Sequence, residues 1–383
     1  MTRDRAGASA CLAAAGQAPP RKLVAEQALE PEVAVQVPPP EAARQALPEA
    51  APPRGAREAA ASRGVRQVAE TGIRRESVVP DVGREPGAAT IKADATDTGA
   101  LHAIYAGAPD KAGQENFPVA LRLLPRRYRE YLLAVYGYAR VVDDAGDLAP
   151  SGQRGELLAG LAADVRRLYG TAAGGDGRPP VLPPVRDLAG VVRDCQLPID
   201  PLLDLIRANE QDQVVTRYET FEELLGYCRL SANPVGRIVL HVFGAYSPQR
   251  AELSDAICTG LQLAEHWQDV AEDLRAGRVY LPAEDMRRYG CTEDDLRSPR
   301  APDRVRQLMA FQVRRAGDLI SAGAPLIGTL HGAPRAAVAG YVAGGRAALA
   351  AIAAAGYDVL ASTPRPGKGR TAAEMIAAFA RAR

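Results

Sequence analysis

YLLAVYGYARVVDDAGD at 131–147 and GLQLAEHWQDVAEDLRAGRVYLP at 260–282 carry the reading on which this chain turns. Each contains a short acidic cluster, DDAGD at 143–147 and DVAED at 269–273, in which one Asp follows another by four residues. On an α-helix that spacing stacks both carboxylates on one face, one turn apart. The flanks are apolar, so each pair points towards a helical interior. Carboxylates crowded there repel one another and lose hydration. They require cations, and a hard divalent ion with oxygen ligands, such as Mg²⁺, suits them. Two such faces, far apart in the chain, imply a metal-bridged diphosphate held between helices.

Outward from these stretches the pattern stays helical. Apolar residues recur at three-to-four spacing over 127–142, 155–169, 199–213, 220–230, 234–243, 250–273, 301–322 and 336–360. The breaks are rich in Pro and Gly: APSG at 149–152, TAAGGDGRPPVLPP at 171–184 and STPRPGKG at 362–369. No run alternates with period two, so the expected fold class is all-α, a single helical domain. Residues 99–362 form the expected helical domain, and 363–383 a basic tail. Residues 1–98 are dominated by Ala, Pro, Arg, Glu and Gly, with no aromatic residue before Tyr105. Such a segment cannot bury enough apolar surface to offset its ordering entropy, and a disordered arm is expected. Glu26, Glu30, Glu32 and Glu41, and the lack of a continuous apolar core segment, speak against a secretory signal or an organelle transit peptide.

A net charge of +1 gives no reason to invoke nucleic acid. Five scattered cysteines without CxxC spacing (Cys11, Cys195, Cys228, Cys258, Cys291) fit a reducing cytoplasm and argue against a zinc site or disulfide framework. The most apolar stretch, 336–355, is rich in Ala and Gly and contains Arg346, which suits a buried helix better than a membrane span. In the tail, TAAEMIAAFARAR can form a basic amphipathic helix with Met375, Ile376 and Phe379 on one side. It is either a weak contact with anionic membrane or a frayed last helix.

Around the first cluster, Arg140 lies three residues before Asp143 and is placed to reach an Asp or a phosphate. Taken alone, this cluster is equally an ordinary solvated helix end. In the second, Gln262, Glu265, Asp269 and Asp273 fall on one stripe backed by Leu261, Leu263, Trp267 and Val270. That many oxygen donors on one stripe fit a solvated face poorly. Arg278 and Tyr280 follow in a short loop, where a cation and a hydroxyl can close over a phosphate. Phe117, Tyr136, Tyr227 and Trp267 offer ring faces for a carbocation, each with core packing as its plain alternative.

Together these stretches resemble the squalene and phytoene synthase family of head-to-head prenyl transferases. The likeness runs from about 114 to 360 and rests on several motifs in order. ENFPVALRLLP at 115–125 is similar to the family's substrate-covering segment, and 131–147 to its first aspartate helix. YCRLSANPVGRIVLHVFG at 227–244 is similar to its central helix, and 268–282 to its second aspartate helix and flap. ENFP, RLSANPVGR and HWQDV most resemble the bacterial hydroxysqualene synthase branch of hopanoid-type squalene biosynthesis.

The resemblance implies the isoprenoid synthase fold, dependence on Mg²⁺ (or Mn²⁺) and prenyl diphosphate substrates. It gives the metal role to Asp143, Asp144, Asp147, Asp269 and Asp273, with Glu265 beside them. Asp143, Asp147, Asp269, Asp273 and the central-helix Tyr227 then count as catalytic. Contact with substrate falls to Arg140, Gln262, Arg278, Tyr280, Asn116, Phe117 and Asn233. Three positions depart from the family pattern: Glu265 replaces the usual Asn, Gln268 stands where phytoene-forming relatives tend to have Arg, and Glu115 where several have Lys. The lost cations favour a substrate with one diphosphate.

Three functions stay open on the sequence. One is ionisation of presqualene diphosphate with water capture, giving hydroxysqualene without a nicotinamide cofactor; no GxGxxG follows a strand. Another is condensation of two prenyl diphosphates to presqualene diphosphate, squalene or phytoene. The third is a non-catalytic assembly relative, which five intact aspartates disfavour. The expected location is the cytoplasm, with peripheral membrane contact and hand-over to neighbouring squalene-pathway enzymes compatible with the tail.

Overall fold

Helix α1 (Arg126–Asp147) starts directly after Pro125 and runs through the whole first aspartate cluster instead of stopping before it. It belongs to a computed structural model that describes residues 124–367 together with Glu374 and Ala377. The expected arm at 1–98, Asn116, Phe117 and the amphipathic stretch with Met375, Ile376 and Phe379 lie outside the described residues.

After α1 come α2 (Arg154–Tyr169), α3 (Pro183–Asp187), α4 (Ala189–Asp194), α5 (Asp200–Asp212), α6 (Phe221–Ser231) and α7 (Asn233–Val242). The second half holds α8 (Pro248–Gln268), α9 (Val270–Arg275), α10 (Ala283–Arg288), α11 (Glu293–Leu296), α12 (Asp303–Gly323) and α13 (Gly332–Ala354). Local chemistry explains several starts. The Thr220 hydroxyl accepts from the Glu223 amide at α6, and the Ser247 hydroxyl from the Arg250 amide at α8. Thr292 and Asp295 form a reciprocal capping box at α11. Among the described residues there is no β-strand; one isolated parallel bridge joins Arg217 and Val279.

The core follows the periodicity read from the sequence. In α1 the buried stripe Leu132, Val135, Tyr136, Ala139 and Val142 packs the helix on α2 and α5. Helix α8 is the central element, packed on α12, α7 and α13. Helix α13 is long and apolar enough to cross a membrane, but two-thirds of its most apolar window is buried inside the protein. That burial makes it the core helix expected from Ala, Gly and Arg346.

Three expectations about boundaries change. The helix expected over 250–273 leaves helical geometry at Asp269 (φ −107°, ψ 10°), which separates α8 from α9. The last helix ends at Ala354, where a residue at positive φ (Gly356, 62°) turns the chain. Short helices α3, α4, α10 and α11 fill stretches that looked like breaks, because segments of four to six residues are too short to show a period.

Close approach of α8 to its neighbours depends on glycine. A β-carbon on Gly260 would lie 2.6 Å from Ile320 Cγ1 and 3.0 Å from the Ala316 carbonyl oxygen. One on Gly323 would lie 2.6 Å from Ile257 Cγ1 and 2.9 Å from its amide nitrogen. Backbone cannot yield as a flexible side chain can, so Gly323→Ala is expected to destabilise the fold by ~1–3 kcal/mol in chemical denaturation. Gly152→Ala, whose β-carbon meets nothing within 4 Å, should leave stability unchanged or slightly raised.

Candidate active site

Helices α1 and α5 on one side, α6 in the middle, and α8 with α9 on the other converge on one cleft of about 540 Å³. Its walls carry Asp147 from α1, Ala208, Asn209 and Asp212 from α5, and Tyr227 and Ser231 from α6. Gln262, Glu265, His266, Asp269 and Asp273 line the opposite wall. The loop after α9 closes the rim with Arg278 and Tyr280. That loop is held by backbone bonds to the α5–α6 connection: the Val279 amide donates to the Thr216 carbonyl at 2.9 Å, and the Ala283 amide to the Tyr218 carbonyl at 2.9 Å.

Eight sequence candidates therefore meet in the cleft: Asp147, Tyr227, Gln262, Glu265, Asp269, Asp273, Arg278 and Tyr280. Arg278 Nη2 donates to Asp147 Oδ1 at 3.0 Å, which joins the first cluster to the loop beyond the second. Asp143 lies one helical turn behind Asp147 and is buried, with Oδ1 accepting from Asn209 Nδ2 at 3.1 Å. Asp144 faces away from the cleft lining and pairs with Arg140 at 3.2 Å, both buried. Arg140 is thus engaged with a carboxylate of its own helix. Asn233 accepts from the Thr259 hydroxyl at 2.9 Å and ties α7 to α8. Of the proposed ring faces, Tyr136 and Trp267 are core residues, not cleft residues. Gln268 does not line the cleft either; its amide donates to the Pro364 carbonyl.

The sequence reading missed Asp212, Asn209, Tyr218 and His266. Asp212 is the hub of an aromatic cage. Tyr227 Oη donates to its Oδ2 at 2.8 Å, and Tyr280 Oη approaches its Oδ1 at 3.5 Å. The rings of Tyr218, Tyr227 and Tyr280 lie 5.7–5.9 Å apart, and His266 stacks on Tyr280 at 3.8 Å. One signal was available: half-buried Asp212 continues the three-to-four stripe of buried Leu205 and Ala208 along α5, and an acid on an apolar stripe is unusual.

Electrostatics follow from this crowding. Burial pushes the Asp143 carboxyl up to about 8, with the Asn209 hydrogen bond opposing it and Asp147 adding repulsion. Burial also lifts Asp212 to about 6, against the pull of Arg278 and the Tyr227 hydrogen bond. Tyr227 and Tyr280 are held well above the usual phenol range, first by burial and then by the charge of Asp212. Five carboxylates line the cleft with one arginine. Buried acids that resist ionisation mark a site short of positive charge.

The donor set fits a hard divalent cation. Asp143 Oδ2 is buried and accepts no hydrogen bond among the described residues, while Asp147, Asp269 and Asp273 present further oxygens to one space. No three Asp, Glu, His or Cys groups among the described residues stand close enough to hold an ion unaided. An ion placed here would need further ligands from a bound anion or water.

Comparison with known proteins agrees with the geometry. The family profile described as Squalene/phytoene synthase matches residues 111–371. The chain is 35% identical over 216 residues to the hydroxysqualene synthase of Rhodopseudomonas palustris, covering 55% of this chain and 70% of that protein. It is 33% identical over 222 residues to the phytoene synthase of Mycobacterium tuberculosis, covering 57% and 70%. The crystal structure of the squalene synthase HpnC from Alicyclobacillus acidocaldarius matches with a TM-score of 0.60 at 38% identity, over 68% of this chain and 95% of that one. This chain is an isoprenoid enzyme and belongs to the squalene/phytoene synthase family.

Proposed function

We propose that the protein ionises presqualene diphosphate in a Mg²⁺-dependent reaction and captures the cation with water, yielding hydroxysqualene and diphosphate. The observation that carries this reading is a change of polarity along one pair of helix walls. Next to the carboxylate cleft, α7 and α8, together with Leu326, Val338 and Tyr341, bound an apolar pocket. Ser231 and Val235 are one turn apart on the α6–α7 wall, and Cys258 and Gln262 one turn apart on α8. Val239, Ile257 and Leu261 continue the apolar lining. A molecule with a diphosphate head and a hydrocarbon body fits this succession, and each methylene it buries adds ~0.8 kcal/mol to binding.

Asp143, Asp147, Asp269 and Asp273 would hold the metal, with Glu265 alongside. Bound Mg²⁺ would supply charge neutralisation that makes diphosphate a good leaving group. The chain's own groups do the rest. Arg278 offers its guanidinium to a phosphate oxygen while anchored on Asp147. Tyr227, Tyr280 and His266 line the carboxylate cleft, with Tyr218 packed on the two tyrosines, and present ring faces to a carbocation. Asp212 fixes two of those rings through their hydroxyls. Water adds to the cation and gives up a proton, and no nicotinamide cofactor is required.

Relatives named hydroxysqualene synthase also occur in Zymomonas mobilis and Sinorhizobium fredii, at 32% and 31% identity, and they favour this reaction. The single arginine of the cleft suits one diphosphate better than two. Condensation of two prenyl diphosphates is the second reading, favoured by the phytoene synthase relatives. We place the protein in the cytoplasm.

Incubation with Mg²⁺ and no NADPH separates the readings. Presqualene diphosphate should give hydroxysqualene, and farnesyl diphosphate alone should give nothing; product from farnesyl diphosphate alone would establish condensation instead. Asp143→Ala and Asp269→Ala should each lower turnover at least ~100-fold, and undiminished activity in either overturns the metal assignment. Asp212→Asn keeps the shape but replaces an acceptor oxygen with a donor. It should cost ~10–100-fold in turnover and also lower the melting temperature, because a hydrogen bond to a charged group contributes ~1.5–3 kcal/mol.

A further inference from the structure

The backbone leaves helical geometry at Asp269 although neither Pro nor Gly stands there. Hydrogen bonding continues on both sides. The Asp269 amide is shared between the Glu265 and His266 carbonyls at 3.0 and 3.3 Å, and the Asp269 carbonyl accepts from the Glu272 and Asp273 amides at 2.8 and 2.9 Å. The interruption is therefore confined to one residue, and that residue is one of the second aspartate pair. Glu265 lies before it and Asp273 after it. The mutual placement of these carboxylates depends on what holds the break.

The chain beyond α13 crosses this spot. After Gly356 and Tyr357 turn the backbone, Asp358 ties it down. Its Oδ1 accepts from the Ala301 amide at 3.0 Å and the Ala361 amide at 3.2 Å, and its Oδ2 pairs with Arg306 Nη2 at 2.7 Å. Val359 is buried below. Residues 361–367 then run without regular structure, and Pro364 is buried between half-buried Thr363 and exposed Arg365. Two side-chain bonds join this segment to α8 and α9. Gln268, just before the break, donates its amide to the Pro364 carbonyl. The Thr363 hydroxyl donates to Glu272 Oε1, just after the break, at 3.1 Å. The two bonds straddle Asp269. Proline suits such a segment, since its φ is fixed and it has no amide hydrogen that needs an acceptor.

We propose that residues 358–366 are a strap that splints the break at Asp269, and that Gln268, Thr363 and Pro364 are positioning residues for the second aspartate pair. They touch neither substrate nor metal. They set how Asp269 and Asp273 face the cleft, and so how tightly the cleft holds a divalent ion with a diphosphate. The inference rests on the metal reading of the proposed function.

The test uses the full chain and Mn²⁺ with inorganic diphosphate, with bound ion read by electron paramagnetic resonance. Gln268→Glu keeps the shape but cannot donate when ionised; Thr363→Val removes the hydroxyl, and Thr363→Ser retains it. The Gln268→Glu/Thr363→Val double variant should bind Mn²⁺ ~10-fold more weakly, as expected for groups that orient metal ligands. Thr363→Ser should match the parent, and melting temperatures without ligand should change little. Parent-like binding by the double variant overturns the strap. Equal losses in Thr363→Ser and Thr363→Val overturn it too, because the hydroxyl would then be irrelevant. Absence of diphosphate-dependent Mn²⁺ binding in the parent, matched by Asp269→Asn, removes the metal reading and the strap with it. That outcome is distinct from a strap that fails on an intact metal site.

Discussion

Like charge held in a low-dielectric cleft is the constraint on which the rest of the structure depends. Five carboxylates face one space, with Asp143 just behind, and two of the six are pushed up to about 6 and 8, burial being the largest cause and repulsion from Asp147 adding to it. In bulk water such a group would simply spread out and hydrate. Here rigid helices forbid that. The protein meets the cost locally in four ways: Arg278 on Asp147, Asn209 on Asp143, Arg140 on Asp144 and two tyrosine hydroxyls on Asp212. Dipoles and a single cleft arginine moderate repulsion without cancelling it. The site stays poised for added positive charge, which an anion accompanied by divalent cations can bring.

The same helices that gather the acids also divide the cavity by polarity. Along α8 the inward residues change from Asp269, Glu265 and Gln262 to Leu261, Cys258 and Ile257 within about three turns. Along α6 and α7 they change from Tyr227 and Ser231 to Val235 and Val239. Because both walls change at the same level, polar and apolar halves meet at one plane. Tyr227, Tyr280 and His266 line the polar part, with Tyr218 packed on the two tyrosines. On the proposed reaction, a cation formed by loss of diphosphate would meet these rings.

Legibility in the sequence followed periodicity. The long helices and both aspartate faces were readable because i and i+4 residues must share a face, whatever the tertiary context. Asp143, Asp144 and Asp147 show the limit of that argument. Spacing identifies a carboxylate face but not which of two adjacent acids points at the cleft; packing against Asn209 and Arg140 decides it. Asp212 offered only the weak signal of an acid on the apolar stripe of α5, and its meaning comes from two tyrosines brought in from α6 and the α9–α10 loop. The break at Asp269 was equally hidden. No breaker residue marks it, and its partners Thr363 and Pro364 lie at the far end of the domain.

Position 265 draws these threads together. Where the family resemblance leads to the expectation of a neutral Asn, this chain has a carboxylate, in a cleft lined by five acids and one arginine. Repulsion from Glu265 falls on Asp269, four residues along the same wall, so the added charge acts on the pair that the strap appended from 358–366 holds in place. A neutral amide in that position could help bind diphosphate directly by donating hydrogen bonds. A carboxylate cannot donate, and it repels a bare anion. On the proposed metal and diphosphate chemistry, Glu265 would face the diphosphate across an intervening cation, and metal and diphosphate binding would then depend on one another. The acid that departs from the family pattern thus strengthens the reason for a cation-filled cleft, and it does so on the wall where the helix is interrupted.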